Sequence, residues 1–307
     1  MGLLVVDPGF FTTVQDPGRP GSRAFGVPLG GAADRESLTL ANALAGDPPG
    51  PAALETTLRG GVYEALHDLG IALAGAAMEA SVVGLDGTRR LVAVPSSLTL
   101  RRGERIELGR ARGGARTYLA TPGGFLTPAR MGSRSAEAPI RRGDILPAGP
   151  SRLATRRLEP ARPADPLAPI RILTGPDWAL LEDPDALEVT FRVGSRSDRM
   201  GLRLEGGAMA VAPAPERLSA PVTPGAIQAA GGLPIVLGVA CGTMGGYPHV
   251  AQVVSADLDR LGRLAPGDPI RFRRIDVAEA RRLDREARER LRSRSLRIAA
   301  AARDAAG

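Results

Sequence analysis

Short apolar runs, separated at roughly even spacing by glycine, proline or charged turns, are what most limits the fold open to this chain. In the first half they fall at Leu69–Ala74, Ser81–Leu85, Leu91–Val94, Leu98–Leu100, Arg105–Leu108 and Thr117–Ala120. A second series falls at Ile170–Leu173, Leu187–Val193, Met209–Val211, Pro234–Gly238, Val250–Val254 and Ile270–Arg273. Runs this short, punctuated this way, predict an all-β barrel or sandwich. Glycine (39) and proline (27) are scattered among the runs, which marks turns and not disorder. Aromatic residues are only 3%, so the cores must be built from Val, Leu, Ile and Ala.

The 307 residues allow two modest domains or one large β-rich unit. The composition shifts divide them into a β-rich half over 1–150, a Pro/Ala/Arg-rich linker or crossover over 151–168, a second β-rich half over 169–275 and a helical tail over 276–307. A short helix is expected after Asp34, which can cap it, with Leu38, Ala41, Leu44 and Ala45 on one apolar face and a stop at Gly46-Asp47-Pro48-Pro49. Asp276 with Glu279 three residues on begins the tail helix. Its narrow stripe is Leu283, Ala287 and Leu291, and Asp284–Arg288 and Glu286–Arg290 are acid-before-base pairs at helical spacing. That pattern predicts a mostly solvated helix docking one edge and fraying by Ala299.

The chain contains no lysine: all 40 basic residues are arginine. This excludes a Schiff base, a Walker-type phosphate loop and covalent biotin or lipoate. The formal charge of +7 is spread along the chain without interleaved aromatics, so no nucleic-acid partner is expected. The single cysteine, Cys241, excludes an internal disulfide, and two histidines outside any zinc spacing leave no metal site expected. No stretch approaches a membrane span and no basic leader opens the chain, so a cytoplasmic protein is expected.

Three polar motifs stand out. Thr12-Thr13-Val14-Gln15-Asp16-Pro17-Gly18-Arg19-Pro20-Gly21 carries more polar groups than a turn requires, since Asp-Pro-Gly alone would make one. Ser195 to Gly206 holds Arg199 and Arg203 around Gly201. A strand entered at Gly201 turns Leu202 and Leu204 to the core and Arg203 and Glu205 away. Arg199 can then reach a carboxylate, carbamate or phosphate with its planar fork, or simply pair with Asp198 to fix the turn. The third motif is Pro224-Gly225-Ala226-Ile227-Gln228 with Gly242-Thr243-Met244-Gly245-Gly246-Tyr247-Pro248-His249. There the Gly245-Gly246 amides can face an oxyanion, or the segment is a plain glycine-rich hairpin. His249 is the better acid/base candidate of the two histidines.

In order along the chain these motifs, together with Gly26-Val27-Pro28, Gly30-Gly31-Ala32-Ala33-Asp34, Ala41-Asn42, Leu54-Glu55, Tyr118-Leu119-Ala120, Gly132-Ser133-Arg134-Ser135 and Ser197-Asp198-Arg199-Met200-Gly201, resemble the biotin-dependent carboxyltransferase-like family. Its members are also called allophanate hydrolase subunit 2, or the C subunit of 5-oxoprolinase. The resemblance runs from about residue 3 to 275. It implies a mainly β, cyclophilin-like β-barrel architecture. It also implies ATP, a smaller related partner (the KipI-like B subunit of 5-oxoprolinase), a further lactam-handling subunit, and opening of a small cyclic amide, 5-oxoproline. Gln15, Asp16, Arg19, Asp34, Asn42 and Glu55 would line or brace a composite cleft from one half. Arg199, Arg203, Gln228, Thr243, Gly245, Gly246, Tyr247 and His249 would do so from the other. Asp16, Arg199 and His249 are the catalytic candidates.

The chain departs from the family pattern after Ser135, where a Gly-rich loop is shortened, and at Ala220, Gly231-Gly232 and Val239-Ala240-Cys241, where polar residues are replaced. Those losses favour an alternative, a non-catalytic, KipA-like antagonist of a kinase inhibitor. A third possibility is carboxyl transfer from a biotin carried on a separate chain.

Overall fold

The computed structural model describes residues 1–159, 165, 167–212 and 218–304. The linker residues 160–164 and 166, and 305–307 of the tail, lie outside the described residues. The chain divides into two compact units. One comprises Met1–Gly18, Gly30–Arg162 and Leu291–Gly307, and the other Arg19–Leu29 and Pro163–Arg290.

The first unit contains β1 (Gly2–Asp7), β2 (Phe11–Gln15), α1 (Arg35–Leu44), β3 (Ala53–Thr57), β4 (Val62–Ala65), β5 (Leu69–Val83), β6 (Arg89–Val92), β7 (Ser96–Leu100), β8 (Arg105–Ala120), β9 (Ile145–Pro147) and β10 (Arg156–Arg157). Its ten-stranded sheet follows β10-β7-β5-β8-β4-β1-β9, with β2 on β3, β3 also on β8, and β6 on β5. The runs Leu69–Ala74 and Ser81–Leu85 belong to one strand, as do Arg105–Leu108 and Thr117–Ala120. The polar and glycine residues between them do not end the strands. The β5–β8 ladder absorbs them as register shifts at Gly75/Ala77 and Met78/Ala80, bends that let one long strand wrap the core. Leu3, Tyr63, Leu69, Ile71, Leu73, Ile106 and Phe125 fill that core.

Helix α1 starts where Asp34 accepts a hydrogen bond from the Ser37 amide, 3.1 Å, and buries Leu38, Leu40, Ala41 and Leu44 against Ala72, Ala74 and Ala120. Its last carbonyl, on Leu44, receives the Arg156 guanidinium at 3.1 Å.

The second unit contains β11 (Ile170–Thr174), β12 (Phe191–Val193), β13 (Gly201–Glu205), β14 (Ala220–Pro221), β15 (Ala226–Ala230), β16 (Leu233–Leu237), β17 (Met244–Gly245), β18 (His249–Val253), α2 (Leu258–Arg263), β19 (Pro269–Ile270) and β20 (Phe272–Arg274). Eight of these strands order as β19-β12-β13-β16-β15-β18-β11-β20. The two ends of that path, β19 and β20, are separated only by Arg271, so the sheet curls into a nearly closed barrel, which removes most of its free edge. Ile172, Phe191, Leu204, Ile227, Val236, Val250 and Phe272 fill it. Only Phe191–Val193 of the expected Leu187–Val193 run is a strand, and Leu187 is buried in the bend before it. Among the described residues, strands β14 and β17 pair only with each other.

Helix α3 runs Val277–Asp304. The Glu279 amide donates to Asp276 at 2.7 Å, as the cap pattern predicts. Within the first unit Leu291 and the buried Ile298 pack on the α1 cluster, so ordered helix continues past Ala299. No helix of the described residues is long and apolar enough to cross a membrane.

Candidate functional site

In the first unit the opening motif ends strand β2 and is held by side chains far along the chain. The Asp16 carboxylate accepts from the Gly18 amide (2.8 Å), an Asx-type turn at Asp16-Pro17-Gly18. It also accepts from the Ser133 hydroxyl (2.6 Å) and the Arg134 amide (2.6 Å). Gln15 is buried: its Nε2 donates to Thr13 Oγ1 at 2.8 Å and to the Ala136 carbonyl at 2.7 Å, and its Oε1 accepts from Ser135 at 2.6 Å. Ser135 Oγ in turn accepts from the Gly31 amide at 2.8 Å. The shortened segment after Ser135 is stitched along β2, with the Ala136 amide on Val14 O (3.0 Å) and the Ile140 amide on Thr12 O (2.9 Å).

A second buried network joins Glu55, Tyr118 and Asp34. Tyr118 donates to Glu55 Oε2 at 2.6 Å and accepts from the Asp34 amide at 2.9 Å. Glu55 also receives the Ala33 amide at 2.8 Å and lies 3.4 Å from Arg116 Nε. Burial, then the neighbouring charges of Glu55 and Asp34, push the Tyr118 phenol well above its usual range. Asn42 is buried on α1 and donates to the Pro51 carbonyl at 3.0 Å. The structure therefore gathers Gln15 and Asp16 in one network and Asp34 and Glu55 in another, with Asn42 apart from both.

In the second unit the residues around the glycine-rich loop come together. Arg199 is 5% exposed, and its carbonyl accepts from the Ala240 amide at 3.1 Å while Met200 O accepts from Gly238 at 2.8 Å. The Arg199 turn thus lies against the segment that leads into Cys241–Gly246. Asp198 fixes that turn by accepting the Met200 amide at 2.8 Å. Arg203 is exposed on β13, with Leu202 and Leu204 buried on either side, as the alternation predicts. It stands opposite Ile235 and does not approach the loop through any described hydrogen bond.

Gln228 is buried below the loop and donates to the Tyr247 carbonyl at 3.0 Å. It also faces His249 across the β15–β18 ladder, beside a register shift at Ile227/Gln228. The His249 amide donates to Asp177 Oδ2 at 2.7 Å. Thr243 O accepts the Val222 amide at 3.0 Å, and Gly245 sits in the β14–β17 ladder opposite Ala220. Among the described residues neither the Gly246 nor the Tyr247 amide donates a hydrogen bond. Both amides lie on a braced loop beside Tyr247, which is 55% exposed, and are left available to a ligand oxygen.

Sequence reasoning missed Arg23. Arg19 donates its amide to Leu29 O at 2.8 Å, closing a loop that belongs to the second unit. Arg23, in its short 3-10 turn Ser22–Phe25, donates to the Val222 carbonyl and, at 3.0 Å, to Gly242 O. No local pattern marks this residue, because its partners lie about two hundred positions away. Burial pushes the neighbouring Cys241 thiol up, and the Arg23 guanidinium opposes that shift. Ser133, Ser135 and Tyr118 did stand within recognisable motifs, but their hydroxyls became meaningful only with Asp16, Gln15 and Glu55 beside them.

The family described as "Carboxyltransferase domain, subdomain A and B" matches residues 25–274. The C subunit of the 5-oxoprolinase of Escherichia coli (strain K12) is 34% identical over 292 residues, 91% of this chain and 93% of that protein. The crystal structure of TTHA0988 superposes with a TM-score of 0.78 at 34% identity, covering 88% of this chain and 56% of that one. The K. lactis urea amidolyase superposes with a TM-score of 0.80 at 26% identity, covering 94% of this chain and 20% of that one. The chain thus spans only part of both solved relatives.

Proposed function

The chain belongs to the carboxyltransferase domain family, subdomains A and B, and from that membership we propose that it works as the carboxyltransferase-like subunit of an ATP-dependent, 5-oxoprolinase-type amide hydrolase. The observation that carries the reading is the Gly242–Tyr247 loop. Its Gly246 and Tyr247 amides, which donate to no described acceptor, are assigned as donors to the oxygen that gains charge when an amide carbonyl is attacked. Arg199 contributes a buried guanidinium from the adjoining turn, and Thr243 and Tyr247 contribute hydroxyls. His249 is assigned proton transfer to the nitrogen released when the C–N bond breaks. Asp16 is assigned a supporting role, since three donors already occupy its carboxylate.

ATP enters as a co-substrate of the assembly. The donor pair fits an anionic oxygen of a phosphate as well as a carboxylate. The partners proposed are the smaller related subunit and the lactam-handling subunit. A chain without lysine carries no covalent biotin, so carboxyl transfer would need a separate carrier. Replacement of a polar residue at Ala220, beside Gly245 in the β14–β17 ladder, is the observation that favours the regulatory alternative.

The test is to purify the chain with its genomic neighbours and measure 5-oxoproline-stimulated phosphate release. Stimulation that falls in a H249Q complex supports the reading. A complete set that shows no stimulation refutes it and leaves the regulatory role.

A further inference from the structure

We infer that Arg23 is the positioning residue of the Gly242–Tyr247 loop, an inference that rests on reading this loop as the oxyanion site. Among the described residues, strands β14 and β17 pair only with each other, over Ala220–Pro221 and Met244–Gly245. A ribbon of two two-residue strands is too small to hold its own shape in water. Three side-chain and main-chain ties supply what it lacks. The Val222 amide donates to Thr243 O at 3.0 Å, and Gln228 holds the Tyr247 carbonyl from below at 3.0 Å. Arg23 Nη2 then joins the two strands of the ribbon at their root, donating to both Val222 O and Gly242 O.

Arg23 has no carboxylate partner among the described residues. Its hydrogen bonds to the two carbonyls are charge-assisted, the stronger kind, and its guanidinium also lies beside the Cys241 thiol. Among the described residues no carboxylate neutralises its cation, which lies beside a loop assigned to an anion. The loop needs that anchor because glycines at Gly242, Gly245 and Gly246 leave its backbone free to adopt many shapes. Arg23 does not touch the reacting atoms. It fixes where the Gly246 and Tyr247 amides stand, and a misplaced donor pair loses stabilisation of the transition state more than of the bound substrate.

Hydrogen exchange of the full chain tests the clamp without any activity. In R23M, which keeps the bulk of the stem but has no donor, exchange of the Val222 amide and of the Met244–Tyr247 segment is expected to rise about tenfold, the worth of one lost hydrogen bond. Exchange in the barrel strands at Val236 and Val250 should not change. R23K, which restores a cationic donor, should return to within about threefold of the parent. In the complex with its partner subunits, R23M should lower kcat about a hundredfold with little change in KM for 5-oxoproline.

Unchanged loop exchange in R23M, or R23K as loose as R23M, overturns the clamp. Loosened exchange with kcat intact overturns the positioning role. If the parent complex itself does not turn over 5-oxoproline, the functional reading fails while the exchange result still decides the clamp.

Discussion

Replacing Tyr118 with Phe isolates a single buried oxygen atom. The ring stays in place among Leu38, Ala41, Ala74 and Ala120, so packing is preserved. Two bonds vanish: the donation to Glu55 at 2.6 Å and the acceptance from the Asp34 amide at 2.9 Å. The first is a hydrogen bond to a buried carboxylate, and the second leaves a buried N–H at the start of α1 without its partner. Each loss is worth about 1–3 kcal/mol, so Y118F should destabilise by about 3 kcal/mol. Glu55 keeps the Ala33 amide and Arg116, which limits the cost. Urea unfolding followed by far-ultraviolet circular dichroism reads this as a lower midpoint with an unchanged slope. A change below about 0.5 kcal/mol would refute the claim that this oxygen bridges Glu55 and α1. The same variant should leave the spectrophotometric tyrosine titration unchanged through the ordinary phenol range, because burial holds the Tyr118 phenol well above 10.0.

Gly245→Ala should cost about 1–3 kcal/mol, since a Cβ there would lie 2.6 Å from Gln228 Nε2 and 3.0 Å from Val222 Cγ1. Adding Q228A should recover part of that loss in a double-mutant cycle, and fully additive effects would contradict the contact. Asp257 predicts the acid limb of stability. Burial alone would raise its pKa, but the Arg171 side-chain and amide hydrogen bonds and the Arg260 charge lower it below 3.8. A group depressed in the folded state contributes stability above its unfolded value and loses it as pH falls through the folded one. D257N should therefore be less stable than the parent at pH 7, with the difference shrinking below about pH 4. A gap that persists unchanged at low pH would contradict the assignment.

Local signals carried far along parts of this chain. Asp34 and the Leu38/Ala41/Leu44 spacing mark α1, and Asp276 with Glu279 marks the start of α3. The pair Gly231-Gly232 marks the β15–β16 turn, where both residues have positive φ (61° and 79°) between the paired Ala230 and Leu233. That is the two-residue hairpin glycine is suited to, so the replacement of a family Asn there leaves the turn chemistry intact. Strand lengths were less legible. Arg105–Ala120 alternates charge and glycine in its middle, and pairing with a bulged β5 on one side and with β3, β4 and the Leu58–Gly60 segment on the other keeps it extended. Helix α2 is short, and the buried Asp257 before it makes no side-chain cap; its carboxylate instead accepts from the Arg171 guanidinium at 2.8 and 2.5 Å.

The candidate site divides along the same line. The polar motifs drew attention to Gln15, Asp16, Arg199 and the Gly242–His249 run because each holds more polar groups than a turn uses. Their partners, Ser133, Ser135, Tyr118 and Arg23, come from distant positions and take on meaning only through tertiary contact. Arg203 shows the opposite case: it stands four residues from Arg199 in sequence, yet strand alternation puts it on the solvent face.

Glutamate formation from 5-oxoproline, compared between the complete set of subunits with ATP and the same set lacking this chain, tests the central claim most directly. Glutamate is expected with the complete set and none without this chain. Equal glutamate in its absence, or none with every subunit present, would contradict the claim.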